Sequence, residues 1–170
     1  MSVDEVVRQL REMDVDLVIV TGGEPLSQQA RLLPVLRQLH DEGMAVEVET
    51  NGTRTPTPDI QRLVRRFVVS PKLANSGNLE RRRLVPKALQ AFRDSGKADF
   101  KFVVRSIRDL DEVADIAEKH SLAPIWIMPE GQTADALLRG LAVIADAVVS
   151  RRWNLSVRLH VFAWGQSRGV

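Results

Sequence analysis

A glycine pair followed by an acid and a proline is the part of this sequence best suited to binding a ligand. Gly22 and Gly23 follow the apolar run 17–20 after the single residue Thr21, and Glu24 and Pro25 come next. Glycine leaves the backbone N–H and C=O groups uncovered, and proline restricts the residue before it to extended conformations. A ligand that carries an ammonium and a carboxylate could therefore bind this main chain directly. An ordinary turn between a strand and a helix would use the same residues.

Short polar segments of the same kind follow three more of the predicted strands. The four segments, including the one with the glycine pair, are residues 21–25, 50–53, 70–72 and 129–131. In parallel α/β folds, ligands bind at the carboxyl ends of the strands. Glycine, proline and small hydroxyl residues at strand ends also serve as turns, but four such ends together favour a shared binding site.

Apolar periodicity predicts strands that alternate with helices along the whole chain. The predicted strands are 17–20, 45–49, 67–69, 100–104, 125–128 and 156–162. The predicted helices are 2–12, 27–42 with Ser27 as its N-cap, 59–66, 80–93, 110–119 and 133–149. This pattern predicts an α/β fold with a parallel sheet, either barrel-like or doubly wound, in a single domain over residues 1–170.

The composition excludes several classes of protein. A net charge of +2, from 24 basic and 22 acidic residues, does not indicate a nucleic-acid-binding face. The run 80–83 predicts a solvated helix start, with a phosphate or RNA patch as the alternative. No apolar run is long enough to span a membrane and the first residues are acidic, so we expect a cytoplasmic protein. The absence of cysteine excludes disulfides and any cluster bound by thiolates of this chain.

Four segments carry a resemblance to a known family. Gly22-Gly23-Glu24-Pro25 resembles the GGEP motif of radical S-adenosylmethionine (SAM) enzymes. With the segments 49–53, 70–72 and 158–165, the chain resembles the 7-carboxy-7-deazaguanine synthase (QueE) family. The resemblance implies a partial (β/α) radical-SAM-type barrel that lacks the first strand and the cluster loop, with an unpaired edge beside strand 17–20. Another radical SAM enzyme is the alternative, against which the ending Arg158-Leu159-His160 argues.

The resemblance also implies an activity. Family members are lyases that contract the ring of 6-carboxy-5,6,7,8-tetrahydropterin to 7-carboxy-7-deazaguanine, for queuosine or other 7-deazapurines. In the family, a reduced 4Fe-4S cluster cleaves SAM to a radical that removes a hydrogen from the substrate. Mg²⁺ assists the rearrangement that loses ammonia, and SAM is regenerated. The expected partners are a pterin-type small molecule and a reductase that supplies electrons.

Individual residues acquire expected roles from the same resemblance. SAM would be bound by Gly22, Gly23, Glu24, Ser70, Pro71 and Lys72. The substrate would be bound by Thr21, Glu49, Asn51, Met128, Pro129, Glu130, Gly131, His160 and the C-terminal Val170. No metal ligand and no catalytic residue is predicted in this chain.

The lack of cysteine conflicts with the implied activity, because the family's cluster is bound by three cysteines. Three accounts are open: a start codon placed too late in a working synthase, a split gene, or a remnant. In a split gene, an N-terminal chain would complete the barrel in trans. A remnant would be a non-catalytic module that binds SAM or a pterin. The chain by itself is predicted not to cleave SAM reductively, and a homodimer or an N-terminal complementing chain is a possible assembly.

Overall fold

Helices and strands alternate along the chain. The computed structural model describes residues 2–165 and 167. The strands are β1 (Leu17–Val20), β2 (Ala45–Thr50), β3 (Arg66–Val69), β4 (Ala98–Val104), β5 (Ile125–Pro129) and β6 (Asn154–Leu155). The helices are α1 (Val3–Glu12), α2 (Gln29–Asp41), α3 (Pro58–Leu63), α4 (Glu80–Arg83), α5 (Pro86–Asp94), α6 (Arg108–His120), α7 (Ala134–Ser150) and α8 (Leu159–Trp164). Among the described residues, no helix is both long and apolar enough to cross a membrane.

The six strands form one parallel sheet, in which strands adjacent in sequence are also adjacent in space from β1 to β6. Connections between parallel strands are right-handed, so an order that never reverses brings all the connecting helices to one face. A doubly wound sheet requires a reversal of the order. The predicted α/β fold with parallel strands is therefore confirmed, and its arrangement is that of a partial barrel.

The two faces of the sheet differ in chemistry. In β2, Val46, Val48 and Thr50 are buried, whereas Glu47 and Glu49 between them are half-buried. Side chains of the buried set join an apolar core with the helices, in which the rings of Phe67 and Phe92 meet edge to face at 5.2 Å. Successive residues of a strand point to opposite faces. The other face of the sheet therefore points toward open space and carries both polar side chains, such as Glu47 and Glu49, and apolar ones, such as Leu17 and Ile19.

Three predicted helices begin or end differently in the structure. The helix predicted over 59–66 ends at Leu63, because Arg66 already belongs to β3. The helix predicted over 80–93 is divided into α4 and α5, because Pro86 lacks an N–H group and disfavours helical geometry at Val85. Ser27 is not an N-cap of α2 as predicted. It lies inside a 3₁₀ turn, Pro25–Gln28, which is capped by the side chain of Glu24.

The strand predicted over 156–162 is wrong. β6 contains only Asn154 and Leu155, and α8 begins at Leu159. Val157 and Val161 are four residues apart, so they fit one face of a helix as well as one face of a strand. An alternating pattern of this length therefore did not distinguish the two structures.

Gly52, directly beyond β2, offers a test of the packing behind the strand ends. Its φ is +75°, and a Cβ there would lie 2.8 Å from Cγ1 of Val69. Gly77 has φ +73° and no atom within 4 Å of the same position. Both alanine substitutions should cost about 1–2 kcal/mol of backbone strain, and Gly52→Ala about 1–3 kcal/mol more for overpacking. Equal losses in the free energy of unfolding, measured with denaturant, would contradict the close approach.

Candidate active site

A cavity of about 570 Å³ opens at the carboxyl ends of the strands. It lies on the open face of the sheet, opposite the helices, and the segments that follow β1, β2 and β3 reach it. The structure brings together there the predicted residues Thr21, Gly22, Gly23, Glu49, Asn51, Ser70, Lys72, Met128 and His160. The sequence thus predicted most of one wall and the rim of a single cavity.

The remaining predicted residues lie elsewhere. Pro71 and Glu130 line an adjoining cleft of about 240 Å³. Pro129 packs close to Gly140 of α7, and Gly131 lies against Leu137 of the same helix. Glu24 stands behind the cavity wall, and Val170 lies outside the described residues.

The Glu24 carboxylate joins the loop after β1 to the end of β2. Its Oε1 accepts hydrogen bonds from Thr50 Oγ1 at 2.8 Å and from the Leu26 N–H at 3.1 Å. Its Oε2 accepts one from the Asn51 N–H at 2.8 Å. An ionised carboxylate is the side chain that accepts on both oxygens and donates from neither. Glu24 therefore fixes the glycine turn against β2 with a side chain that faces away from the cavity.

The glycine turn itself leaves its main chain open. Gly22 and Gly23 have φ values of +92° and +39°, and nothing lies within 4 Å of the Cβ position of either residue. Residues that carry a side chain rarely adopt such backbone angles, whereas glycine does so readily. The backbone carbonyl and amide groups of this turn are consequently available to a ligand in the cavity.

A second carboxylate, that of Glu49, lies in the wall of the cavity. It accepts a hydrogen bond from Thr21 Oγ1 at 3.1 Å and lies 3.4 Å from the Lys101 Nζ. Lys101 was not among the predicted site residues. It was detectable in principle, because it is the charged residue in the apolar strand segment 100–104 and takes the face opposite to the buried Phe100 and Phe102.

Cationic side chains predominate around the cavity. Lys72 is exposed, and none of the described residues pairs with its ammonium. Arg158, a residue of the C-terminal motif for which no site role was predicted, lines the cavity and donates to the Gly131 carbonyl at 3.3 Å. Among the described lining residues, Glu49 is the one carboxylate. The local charge therefore favours a ligand with an anionic group.

Glu130 is engaged outside the main cavity. Its carboxylate forms two hydrogen bonds with the Arg105 guanidinium, at 2.6 and 3.0 Å. The side-chain hydrogen bond and the charge of Glu130 raise the pKa of Arg105 above its ordinary value. A direct contact between Glu130 and a ligand of the main cavity would require this pair to open.

The residues fit SAM but do not fit an iron–sulfur cluster. SAM carries an ammonium and a carboxylate, which match the open glycine turn and the unpaired Lys72. The chain has no cysteine. Over the described positions, no group of three histidine, aspartate or glutamate side chains could hold a metal ion. We therefore derive no step through a cluster or Mg²⁺ from the residues of this chain.

Comparison with known proteins identifies the family. No protein-family model matches the chain. Over 173 residues it is 36% identical to a 7-carboxy-7-deazaguanine synthase of Pyrobaculum aerophilum, an alignment that covers 99% of this chain and 75% of that relative. The chain belongs to the 7-carboxy-7-deazaguanine synthase family. The resemblance inferred from the four segments is thereby confirmed.

Solved structures show the same fold. QueE from Escherichia coli has a TM-score of 0.66 and 23% identity, over 93% of this chain and 64% of the QueE chain. Streptococcus suis SuiB bound to S-adenosylmethionine has a TM-score of 0.61 and 15% identity, over 91% of this chain and 42% of SuiB. The fold is therefore that of radical SAM enzymes, and part of each of these larger proteins has no counterpart in this chain.

Replacing Glu24 by glutamine tests the bridge between the two loops. The glutamine side chain would present an NH₂ group to at least one of the donors that Glu24 satisfies, so we expect Glu24→Gln to cost about 1–3 kcal/mol of unfolding free energy. The backbone amide that then faces the NH₂ group, that of Asn51 or that of Leu26, should also exchange with solvent faster, as measured by NMR. Glu47→Gln, at a position of β2 on the open face, is the matched control and should change neither quantity. Unchanged exchange rates at both Asn51 and Leu26 in Glu24→Gln would rule out the bridge.

Proposed function

We propose that this chain is the SAM- and substrate-binding part of a 7-carboxy-7-deazaguanine synthase, which contracts the ring of 6-carboxy-5,6,7,8-tetrahydropterin. The carrying observation is the cavity at the strand ends, lined by the glycine turn and by the cations of Lys72, Lys101 and Arg158. The relationship to the Pyrobaculum synthase supports this activity. In this proposal, residues 1–170 are one radical SAM core domain, which a further segment completes, and the location is cytoplasmic.

In the proposed binding mode, the ammonium and the carboxylate of SAM contact different parts of the cavity. The carbonyl groups of Gly22 and Gly23 would accept hydrogen bonds from its ammonium, and Lys72, beside Ser70, would pair with its carboxylate. Glu24 would contribute by holding the turn, and Pro71 by stiffening the loop that carries Lys72. When bound, SAM supplies the group that removes a hydrogen atom from the substrate.

The substrate part uses the remaining wall of the cavity. A pterin ring offers N–H donors, and the Glu49 carboxylate can accept hydrogen bonds from them. Thr21 and Lys101 hold the Glu49 carboxylate in place. The predicted contacts from Asn51, Met128 and His160 belong to the same space. Pro129, Glu130 and Gly131 would act indirectly, through their packing or through Arg105. A contact from Val170 stays a prediction.

SAM binding by the isolated chain is the first test. Isothermal titration with SAM should give saturable binding, and Lys72→Met should raise the dissociation constant about tenfold, since one charge-assisted contact is lost. Lys87→Met removes an exposed lysine of α5 and should leave the constant unchanged. Absence of SAM binding by the unmodified chain would overturn the proposed function, and equal losses in the two variants would remove the role of Lys72.

The thiolates for a cluster must come from another polypeptide segment, since this chain has none. The free edge of β1 offers a place for such a segment. Within the described residues β1 pairs only with β2, and the open face exposes 40% of Leu17 and 53% of Ile19. An unpaired strand edge is a template for another extended strand. We therefore assign a cysteine-bearing strand, as an N-terminal complementing chain or segment, to this edge.

Complementation tests that assignment. The parts of the Pyrobaculum synthase left uncovered by the alignment would be co-expressed with this chain and reconstituted anaerobically with iron and sulfide. We expect a one-to-one complex with cluster absorbance, weakened about tenfold or more by Ile19→Asp, which buries a charge beside the new strand. Val143→Asp changes a similarly exposed valine of α7 and serves as the control. If Ile19→Asp left the affinity of the complex unchanged, docking at β1 would be refuted.

A non-catalytic module that binds SAM or a pterin is the second candidate, and the absence of cysteine is the observation that favours it. The reconstituted complex separates the two candidates when it is supplied with a chemical reductant in place of the proposed reductase. Formation of 7-carboxy-7-deazaguanine from the carboxytetrahydropterin supports the synthase. Ligand binding without turnover supports the module. The predicted homodimer is measured in the same samples by sedimentation.

A further inference from the structure

The loop after β3 is held from behind by a charged side chain that was predicted to be solvated. Arg83 of α4 is only 7% exposed, so the expectation of a solvated helix start is wrong for this residue. Its Nη1 donates to the Lys72 carbonyl oxygen at 2.9 Å. Its Nη2 pairs with Glu112 Oε1 at 2.8 Å.

Glu112 of α6 holds the same loop from its other side. Both of its oxygens accept from the Ala74 N–H, at 3.0 and 3.1 Å. Arg83 and Glu112 therefore form hydrogen bonds with the main chain on the two sides of the buried Leu73. A buried ion pair adds little to stability on average, but its geometry can specify one local conformation.

We propose that Arg83 and Glu112 are positioning residues for Lys72, which hold its backbone so that its ammonium stands over the cavity. Lysine is a flexible side chain with a point charge, so its effective position depends strongly on where its backbone is fixed. The inference rests on the proposed function, in which Lys72 pairs with the carboxylate of SAM. Neither positioning residue lines the cavity, and each acts through the loop.

The test uses two charge-conserving variants of adjacent arginines. Arg83→Lys keeps a cation for Glu112 but loses the fork that also reaches the Lys72 carbonyl. Arg82→Lys makes the same change at an exposed neighbour in α4. In the ligand-free chain, Arg83→Lys should speed amide exchange at Ala74 and shift the NMR signal of carbon-13-dimethylated Lys72. Arg82→Lys should do neither.

The second measurement is the dissociation constant of SAM. Arg83→Lys should raise it about fivefold to tenfold, whereas in a Lys72→Met background it should add nothing, because the effect passes through Lys72. Glu112→Gln, which keeps an acceptor for the Ala74 N–H, replaces Arg83→Lys if the latter does not fold, and we expect the same pattern from it.

The possible outcomes test the positioning role of Arg83 and the proposed SAM binding separately. Unchanged Ala74 exchange and Lys72 signal would overturn the positioning role whether or not SAM binds. An equal loss of affinity in both backgrounds would also overturn it, since it would indicate a general structural effect. Failure of the unmodified chain to bind SAM would defeat the proposed function, while the ligand-free measurements would still decide the role of Arg83 in the loop.

Discussion

The candidate site depends on one carboxylate that does not face it. Parallel strands bring their ends to the same edge, but the loops beyond those ends have no ladder of backbone hydrogen bonds to hold them. Glu24, in the first loop, accepts from both the hydroxyl of Thr50 and the N–H of Asn51. Charge-assisted bonds of this kind contribute about 1.5–3 kcal/mol each. The glycine turn can therefore stay open to a ligand because an acid behind it supplies the rigidity.

The loop after β3 follows the same physical principle with the opposite charge. There a cation, Arg83, holds a carbonyl, and the acid Glu112 holds the N–H two residues later. In both loops the group offered to the ligand is exposed, while the group that orders the loop is at least half-buried. Because the loop is ordered by charged groups behind the wall, the Lys72 ammonium has no competing partner among the described residues, whereas Lys101 is paired with Glu49 inside the cavity.

The sequence predicted the elements whose signal is local. Strands β1 to β5 carry apolar residues on the face that the helices cover, and the turns predicted to bind a ligand follow four of these strands. It did not predict which arginine of the run 81–83 is buried, since all three have the same local context and the choice depends on Glu112 in another helix. Lys101 was missed for a related reason. Its role depends on the parallel register that brings β4 near Glu49, two strands away.

The separation between core and open face is compatible with a chain that lacks cluster ligands and yet has the proposed binding site. The helix-covered core is already closed at β2, where Val46 and Val48 are at most 1% exposed, whereas Val18 and Val20 of the edge strand β1 are half-buried. An added strand would pair with the free edge of β1 and cover part of its open face, where Leu17 and Ile19 remain exposed. Folding and the proposed ligand binding therefore depend on contacts that this chain contains, whereas radical chemistry depends on thiolates that it does not contain. Affinity for SAM and turnover should consequently be separable properties of this family member.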